Sequence, residues 1–201
     1  AMFRGAIFDP SARSFQRQIK PLTESLFFSI PLVLGGLGLA LGFRAGLFNI
    51  GGNGQIIFGA LAAVWVGFAM NLPPVVHTLV ALLAAMVAGA LYAGIAGVLK
   101  AKTGANEVIV TIMLNSIATL ALGYILSKKS WQVPGSNQPQ TPKVADSAAF
   151  TRILDAPFKI HVGLFIALLA VIVFWWLIER STLGFEIRAV GANPEAARTA
   201  G

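Results

Sequence analysis

The sequence contains no cysteine and only two histidines among its 201 residues. The first absence excludes disulfide frameworks and thiolate metal sites. The second leaves His77 and His161 far apart, with no cluster that could hold a metal ion. Charge is scarce too: 11% of the residues are charged, where a soluble domain carries about 25%. Acidic groups are the rarest, eight against fifteen Lys and Arg, for a formal charge of +7. A basic balance can mark a nucleic-acid binder, but here the cations sit in short interruptions between long apolar runs and not along one face. Nucleic acid is therefore excluded as a partner. What abounds is apolar surface, 56% of the chain, with a mean hydropathy of +0.76. That composition belongs to a multi-pass membrane protein, with lipid as its surroundings.

A membrane-spanning helix needs roughly 20 apolar residues. Five windows satisfy this: 22–43, 55–72, 75–99, 108–126 and 160–178, with Glu24 as the only formal charge inside them. Backbone polar groups in lipid must be satisfied within the segment, and the alternating pattern of a membrane barrel is absent, so the fold class is an all-α, polytopic membrane bundle. The first window follows a charged amphipathic stretch and has no cleavage-like site, so it is not a signal peptide. The opening Ala1-Met2 and the abrupt end at Gly201 suggest a piece of a longer chain.

Several interruptions carry chemistry. Ala81, Ala85, Gly89, Ala93, Gly97 and Ala101 recur at spacing four and predict a close helix–helix seam, a pattern repeated by Gly38, Gly42 and Gly46. Residues 44–54 hold four glycines with Asn49 and Asn53, just before Gln55. Such a stretch is either a surface loop or a broken helix lining a cavity. Asn106 is placed to cap the fourth span, with Glu107 in its first turn, and Thr111 and Asn115 continue one face of it. That polar pair either bonds a neighbouring helix or faces a solute path. Residues 127–159 form a long polar loop with Pro134, Pro139, Pro142 and Pro157, of the kind used for docking or gating. Trp175 and Trp176 fit an interfacial belt, whereas Trp65 is expected to pack inside. Beyond the last span, Asn193 is an N-cap, Pro194 fits the first helical position and Glu195 suits the helix dipole. These predict a short polar helix off the membrane.

At this point a resemblance enters. Glu195-Ala196-Ala197 followed by Gly201 resembles the EAA…G signature of ABC-importer permeases. The preceding Leu183–Pro194 stretch, Phe43–Gly51, Gly54-Gln55, Asn106–Asn115 and Gln140-Thr141-Pro142 are similar to the branched permease family that serves ribose, nucleosides and branched amino acids. They lie nearest its nucleoside and simple-sugar members. Asn53 departs from the family pattern, which has an acidic residue before Gly-Gln.

The resemblance implies a permease subunit in a bacterial plasma membrane, moving a small neutral solute. It implies as partners ATP-binding subunits, a second permease subunit and an extracytoplasmic solute-binding protein. Asn193, Pro194, Glu195, Ala196, Ala197 and Gly201 would couple to the ATPase on the cytoplasmic side. Family size implies that further spans are missing at both ends. The chain has no GxxxxGK[ST] phosphate loop, so ATP would be bound by the partner subunit; no cofactor, metal or catalytic residue is assigned to this chain. Asn49, Asn53, Gln55, Thr111 and Asn115 are expected to converge on a polar solute pathway. Placing Glu195 in the cytoplasm leaves Lys and Arg nearly equal in density on both sides, so the positive-inside rule gives no support to this orientation. An ATPase-independent channel or secondary carrier is the alternative, although no carboxylate lies deep in any span. A membrane-embedded enzyme lacks the nucleophile, base or metal ligands it would need.

Overall fold

The computed structural model describes residues 14–153 and 158–200. Pro157 and Gly201 therefore lie outside the described residues. The chain divides into two compact units, one formed by residues 1–47 and 150–201, the other by residues 48–149.

In the first unit, α1 (Phe15–Arg44) packs against α5 (Gly163–Arg180), which continues through Ser181 into α6 (Thr182–Ala192) and α7 (Pro194–Ala200). Helix α1 begins seven residues before the apolar window, because the amphipathic stretch ahead of it is helical as well. Glu24, the one charge within that window, is held by Lys20 at 3.7 Å and by Lys159 at 3.4 Å. The end of α1 is a glycine-closed turn: Leu47 N–H donates to the Gly42 carbonyl and Gly46 N–H to the Phe43 carbonyl, with Gly46 at φ +71°. Only glycine takes that conformation without strain. Just before α5, His161 stacks on Phe150 and meets Phe27 edge-on, with ring centroids 5.3 and 5.4 Å away, while its Nδ1 accepts the Gly163 N–H at 3.0 Å. At the far end of α5, Trp175 and Trp176 are exposed, and the Arg180 guanidinium lies 5.7 Å from the Trp175 ring.

In the second unit, α2 (Gly52–Ala69) packs along α3 (Pro74–Thr103) and against α4 (Glu107–Leu126). Together with α1 and α5 these make, among the described residues, five helices long and apolar enough to cross a membrane. The expected seam on α3 forms only in part. Its buried residues are His77, Ala81, Tyr92 and Ala96, while Gly97 has open space beside it and Ala101 is exposed. A strict four-residue spacing drifts by about 40° per step relative to the 3.6-residue turn, so the stripe leaves the contact line. Where it does pack, the approach is close: a Cβ on Gly59 would lie 3.0 Å from the Ala85 carbonyl oxygen. At α1 the glycine pattern is used only in part: Gly38 has open space, whereas Gly46, just past the helix end, meets the Gly191 main chain of α6. Trp65, expected inside, is 45% exposed. Bulk and depth in sequence do not tell which face of α2 meets α3; Gly59 takes that place, and Gly67 faces Val144 of the loop.

The joint between α3 and α4 matches the expected capping. Gly104 ends α3 in the left-handed conformation, and Asn106 Oδ1 accepts the Val108 and Ile109 N–H groups at 3.0 and 3.4 Å. Lys100 Nζ and Glu107 Oε1 close the turn at 2.7 Å. The polar loop after α4 is tied back to this unit. Ala145 N–H donates to the Gly67 carbonyl at 2.8 Å, and the Trp131 ring packs edge-on against Phe68.

Candidate functional site

Between α1 and α2 the chain is not helical from Ala45 to Gly51, a shorter interruption than the glycine content suggests. Gly52, Asn53 and Gly54 already form the first turn of α2. The first N–H groups of a helix have no partner inside it. Here one of them is capped from another helix: Gly54 N–H donates to Asn115 Oδ1 at 2.8 Å. The Asn115 Nδ2 group donates in turn to the Ile50 carbonyl at 2.9 Å. A backbone N–H can only donate and a carbonyl only accept, so the two bonds fix the orientation of the amide.

One turn earlier on α4, Thr111 is 2% exposed. Its hydroxyl donates to the Glu107 carbonyl at 2.7 Å and accepts the Ile50 N–H at 3.3 Å. Asn49 adds a local bond, its Oδ1 accepting the Gly51 N–H at 2.7 Å. Three of the five expected pathway residues thus converge on one stretch of main chain, Ile50 to Gly54. The other two are placed differently. Asn53 is exposed on the first turn of α2 and Gln55 is half-buried, and neither side chain makes a hydrogen bond within the described residues.

The fit around this clamp is tight. A Cβ on Gly51 would lie 3.1 Å from the Thr111 Cβ, and one on Gly54 would lie 2.8 Å from the Tyr92 ring. Tyr92 itself stacks on Phe58 at 4.2 Å between centroids and donates its hydroxyl to the Leu114 carbonyl at 2.6 Å. Tyr92 carried no signal in the sequence, and Gly54 entered only through the resemblance of Gly54-Gln55, because the contacts of both depend on three helices. The clamp itself is built of neutral donors and acceptors, and the nearest fixed charges are the Glu107 carboxylate, which bonds the Phe48 backbone, and its partner Lys100. Among the described residues no group of His, Asp or Glu could hold a metal ion.

The second candidate region closes the first unit. Asn193 is extended and its Oδ1 accepts the Glu195 and Ala196 N–H groups, both at 3.1 Å. Pro194 opens α7, and Glu195 lies in its first turn. Pro194, Glu195 and Ala196 are exposed, and Ala197 is half-buried. Gly201 lies outside the described residues. Helix α6, directly before this segment, was not foreseen. Its signal was Ser181, whose hydroxyl caps the Gly184 N–H at 2.9 Å. Arg188 on α6 pairs with Glu179 on α5 at 3.1 Å.

Comparison with known proteins gives this geometry a context. The family model described as "Branched-chain amino acid transport system / permease component" matches residues 22–201. The guanosine ABC transporter permease protein NupP of Bacillus subtilis is 44% identical over 179 residues, which is 85% of this chain and 49% of that protein. The glucose ABC transporter permease protein TsgB13 of Haloferax volcanii is 39% identical over 189 residues, covering 90% of this chain and 50% of its own length. The nucleoside ABC transporter permease protein NupB of Lactococcus lactis is 33% identical over 191 residues, 90% of this chain and 52% of that protein. The chain spans about half the length of these relatives. No solved structure matches it.

Proposed function

The chain belongs to the branched-chain amino acid transport system / permease component family, and from that premise we propose that it forms part of the membrane-spanning subunit of an ATP-driven importer. The solute is small and neutral, a nucleoside or a simple sugar, the two classes named for its relatives. The observation that carries the reading of the solute path is the Asn115 amide, which holds Ile50 of the interrupted backbone and Gly54 of the first turn of α2. Non-helical backbone at membrane depth persists where protein buries it or where it lines a water-filled cavity.

Asn49, Thr111 and Asn115 set the shape of this stretch, and the free amide of Asn53 together with Gln55 meets the solute. Neutral amides and hydroxyls match the hydroxyls of a sugar or a nucleoside, whereas an ion path would use carboxylates or carbonyl rings. On the cytoplasmic side, the segment from Asn193 through Glu195, Ala196 and Ala197 engages an ATP-binding subunit. A second permease subunit and an extracytoplasmic binding protein complete the assembly in the plasma membrane, and ATP is bound by the partner subunit.

The test is reconstitution of the full-length protein with its ATPase and binding protein in proteoliposomes. ATP-dependent uptake of labelled guanosine or glucose is the expected result. Uptake that needs no ATPase and follows an ion gradient would make the protein a secondary carrier. Failure to move either solute class would overturn the solute assignment.

A further inference from the structure

Helix α6 is seated at both ends by glycines that let main chain meet main chain. At its start, a Cβ on Gly184 would run into the carbonyl oxygen of Leu177 and lie 2.6 Å from that of Ile178, in the last turn of α5. At its end, a Cβ on Gly191 would run into the Arg44 carbonyl oxygen and lie 3.1 Å from the Ala45 carbonyl carbon, at the close of α1. From the opposite side of that contact, a Cβ on Gly46 would meet the Gly191 Cα at 3.4 Å. The Arg188–Glu179 pair ties the middle of α6 to α5. None of the seating atoms at the two glycines belongs to a side chain that could rotate away, and close-packed contacts of this kind transmit displacement.

Two further facts give the arrangement a direction. Helix α6 ends at Asn193, the residue that caps α7, so the coupling segment is joined to it without a linker. The turn it presses on, Ala45-Gly46, opens directly into the interrupted stretch that Thr111 and Asn115 hold at Ile50.

We propose that α6 is a rigid strut. It carries displacement of the Asn193–Ala200 segment through the Gly191–Arg44 contact into the end of α1, and from there along the chain into the interrupted stretch. Gly191 is the positioning residue of this device. The inference rests on the coupling reading given above, and it adds the route by which that coupling reaches the solute path.

The experiment uses the full-length permease with its ATPase and binding protein in proteoliposomes, reading solute moved per ATP hydrolysed. Gly191→Ala is expected to lower that ratio by about tenfold, a typical size for a coupling between sites, while the ATPase still copurifies. An unchanged ratio overturns the proposal. These 201 residues contain no cysteine, so in a full-length permease cleared of any cysteine elsewhere, Ala45→Cys with Ala192→Cys can be joined by a short reducible thiol reagent. The strut requires that the link forms and that linked transporter keeps its uptake rate, since the two ends move as one body. Loss of uptake on linking that reductant restores means that the ends slide past each other, and failure of the link to form means that the contact is absent. Either overturns the strut. Should Gly191→Ala fail to accumulate, the linked pair decides alone. Glu195→Lys runs in parallel: if it leaves uptake and ATPase binding unchanged, the coupling reading fails. If it abolishes uptake while Gly191→Ala is silent, only the strut fails.

Discussion

His77 and Ser147 are locked together, the imidazole Nδ1 accepting the Ser147 hydroxyl at 2.8 Å although 70 residues separate them. The other ring nitrogen, Nε2, lies 3.0 Å from the Val66 carbonyl. A carbonyl only accepts, so Nε2 carries the proton and the tautomer is fixed by its neighbours. The ring is fully buried. It joins the last turn of α2, the first turn of α3 and the far end of the polar loop, a structural use that neither metal binding nor catalysis requires.

Replacing this ring tests that lock. In His77→Phe the volume is kept but the Val66 carbonyl loses its second partner and the Ser147 hydroxyl loses its acceptor. A buried group left unsatisfied costs about 1–3 kcal/mol, and the loop should loosen at the neighbouring bond from Ala145 N–H to the Gly67 carbonyl. Hydrogen exchange at Ala145 should rise while the amides of mid-α4 keep their protection. Unchanged exchange at Ala145 would show that Val144, packed against Gly67, holds the loop by itself.

Asn115 gives a second prediction. Asn115→Leu keeps similar bulk and removes both bonds, leaving the Gly54 N–H and the Ile50 carbonyl without their α4 partner. The expected loss is about 2–6 kcal/mol if both groups stay dry, read as a lower melting temperature in detergent and faster exchange at Gly54. Asn115→Asp retains the acceptor for Gly54 N–H but not the donor to Ile50, so its effect should fall between. If the Leu variant melts with the native protein, the clamp is not what shapes the interrupted stretch.

The sequence made some of this legible and left the rest hidden for physical reasons. Runs of apolar residues mark the five long helices because lipid imposes length and composition together. Asn106 and Asn193 are readable as caps because capping is local, reaching two or three residues ahead. Thr111 and Asn115 could be placed on one helical face by their spacing of four. What they hold could not be read, since Ile50 lies 61 residues from Thr111 and 65 from Asn115, and Gly54 lies 61 from Asn115. The stripe from Ala81 to Ala101 failed as a seam at its far end because four is not the helical period. Helix α6 was hidden because its glycines, Gly184 and Gly191, look like breakers until the main chains they approach are in place.

His161 supplies a pH dependence outside the membrane-crossing helices. Burial between Phe150 and Phe27 holds its imidazole below the usual histidine value of about 6.5. The folded state therefore binds fewer protons than the unfolded one just below that value, and stability rises with pH across the window. Protonation also removes the Nδ1 lone pair that accepts the Gly163 N–H at the start of α5. The contribution is fully present above about pH 6.5 and is lost as the pH falls through the depressed value. Melting temperature followed from pH 8 to pH 5 should drop in the acid arm, and His161→Phe should flatten that drop. An equally steep acid arm in the variant would assign it to other groups.

Glu195 separates coupling from folding. Its side chain is exposed in the first turn of a seven-residue helix whose cap is Asn193. At that position a carboxylate favours the helix dipole by about 0.3–1 kcal/mol, so Glu195→Lys costs the isolated chain little and leaves the apolar spans untouched. Membrane insertion and expression should therefore match the native protein. Uptake in the reconstituted transporter should be abolished, because the reversed charge sits where the ATP-binding subunit is proposed to dock. Asn193→Ala is the control for helix order: it removes the acceptor of two N–H groups at about 1 kcal/mol and keeps the Glu195 charge. If docking reads the carboxylate, ATPase copurification falls in Glu195→Lys and survives in Asn193→Ala. Should the lysine variant transport at the native rate with ATPase binding unchanged, Glu195 has no part in coupling and the coupling reading of the Asn193–Ala200 segment fails.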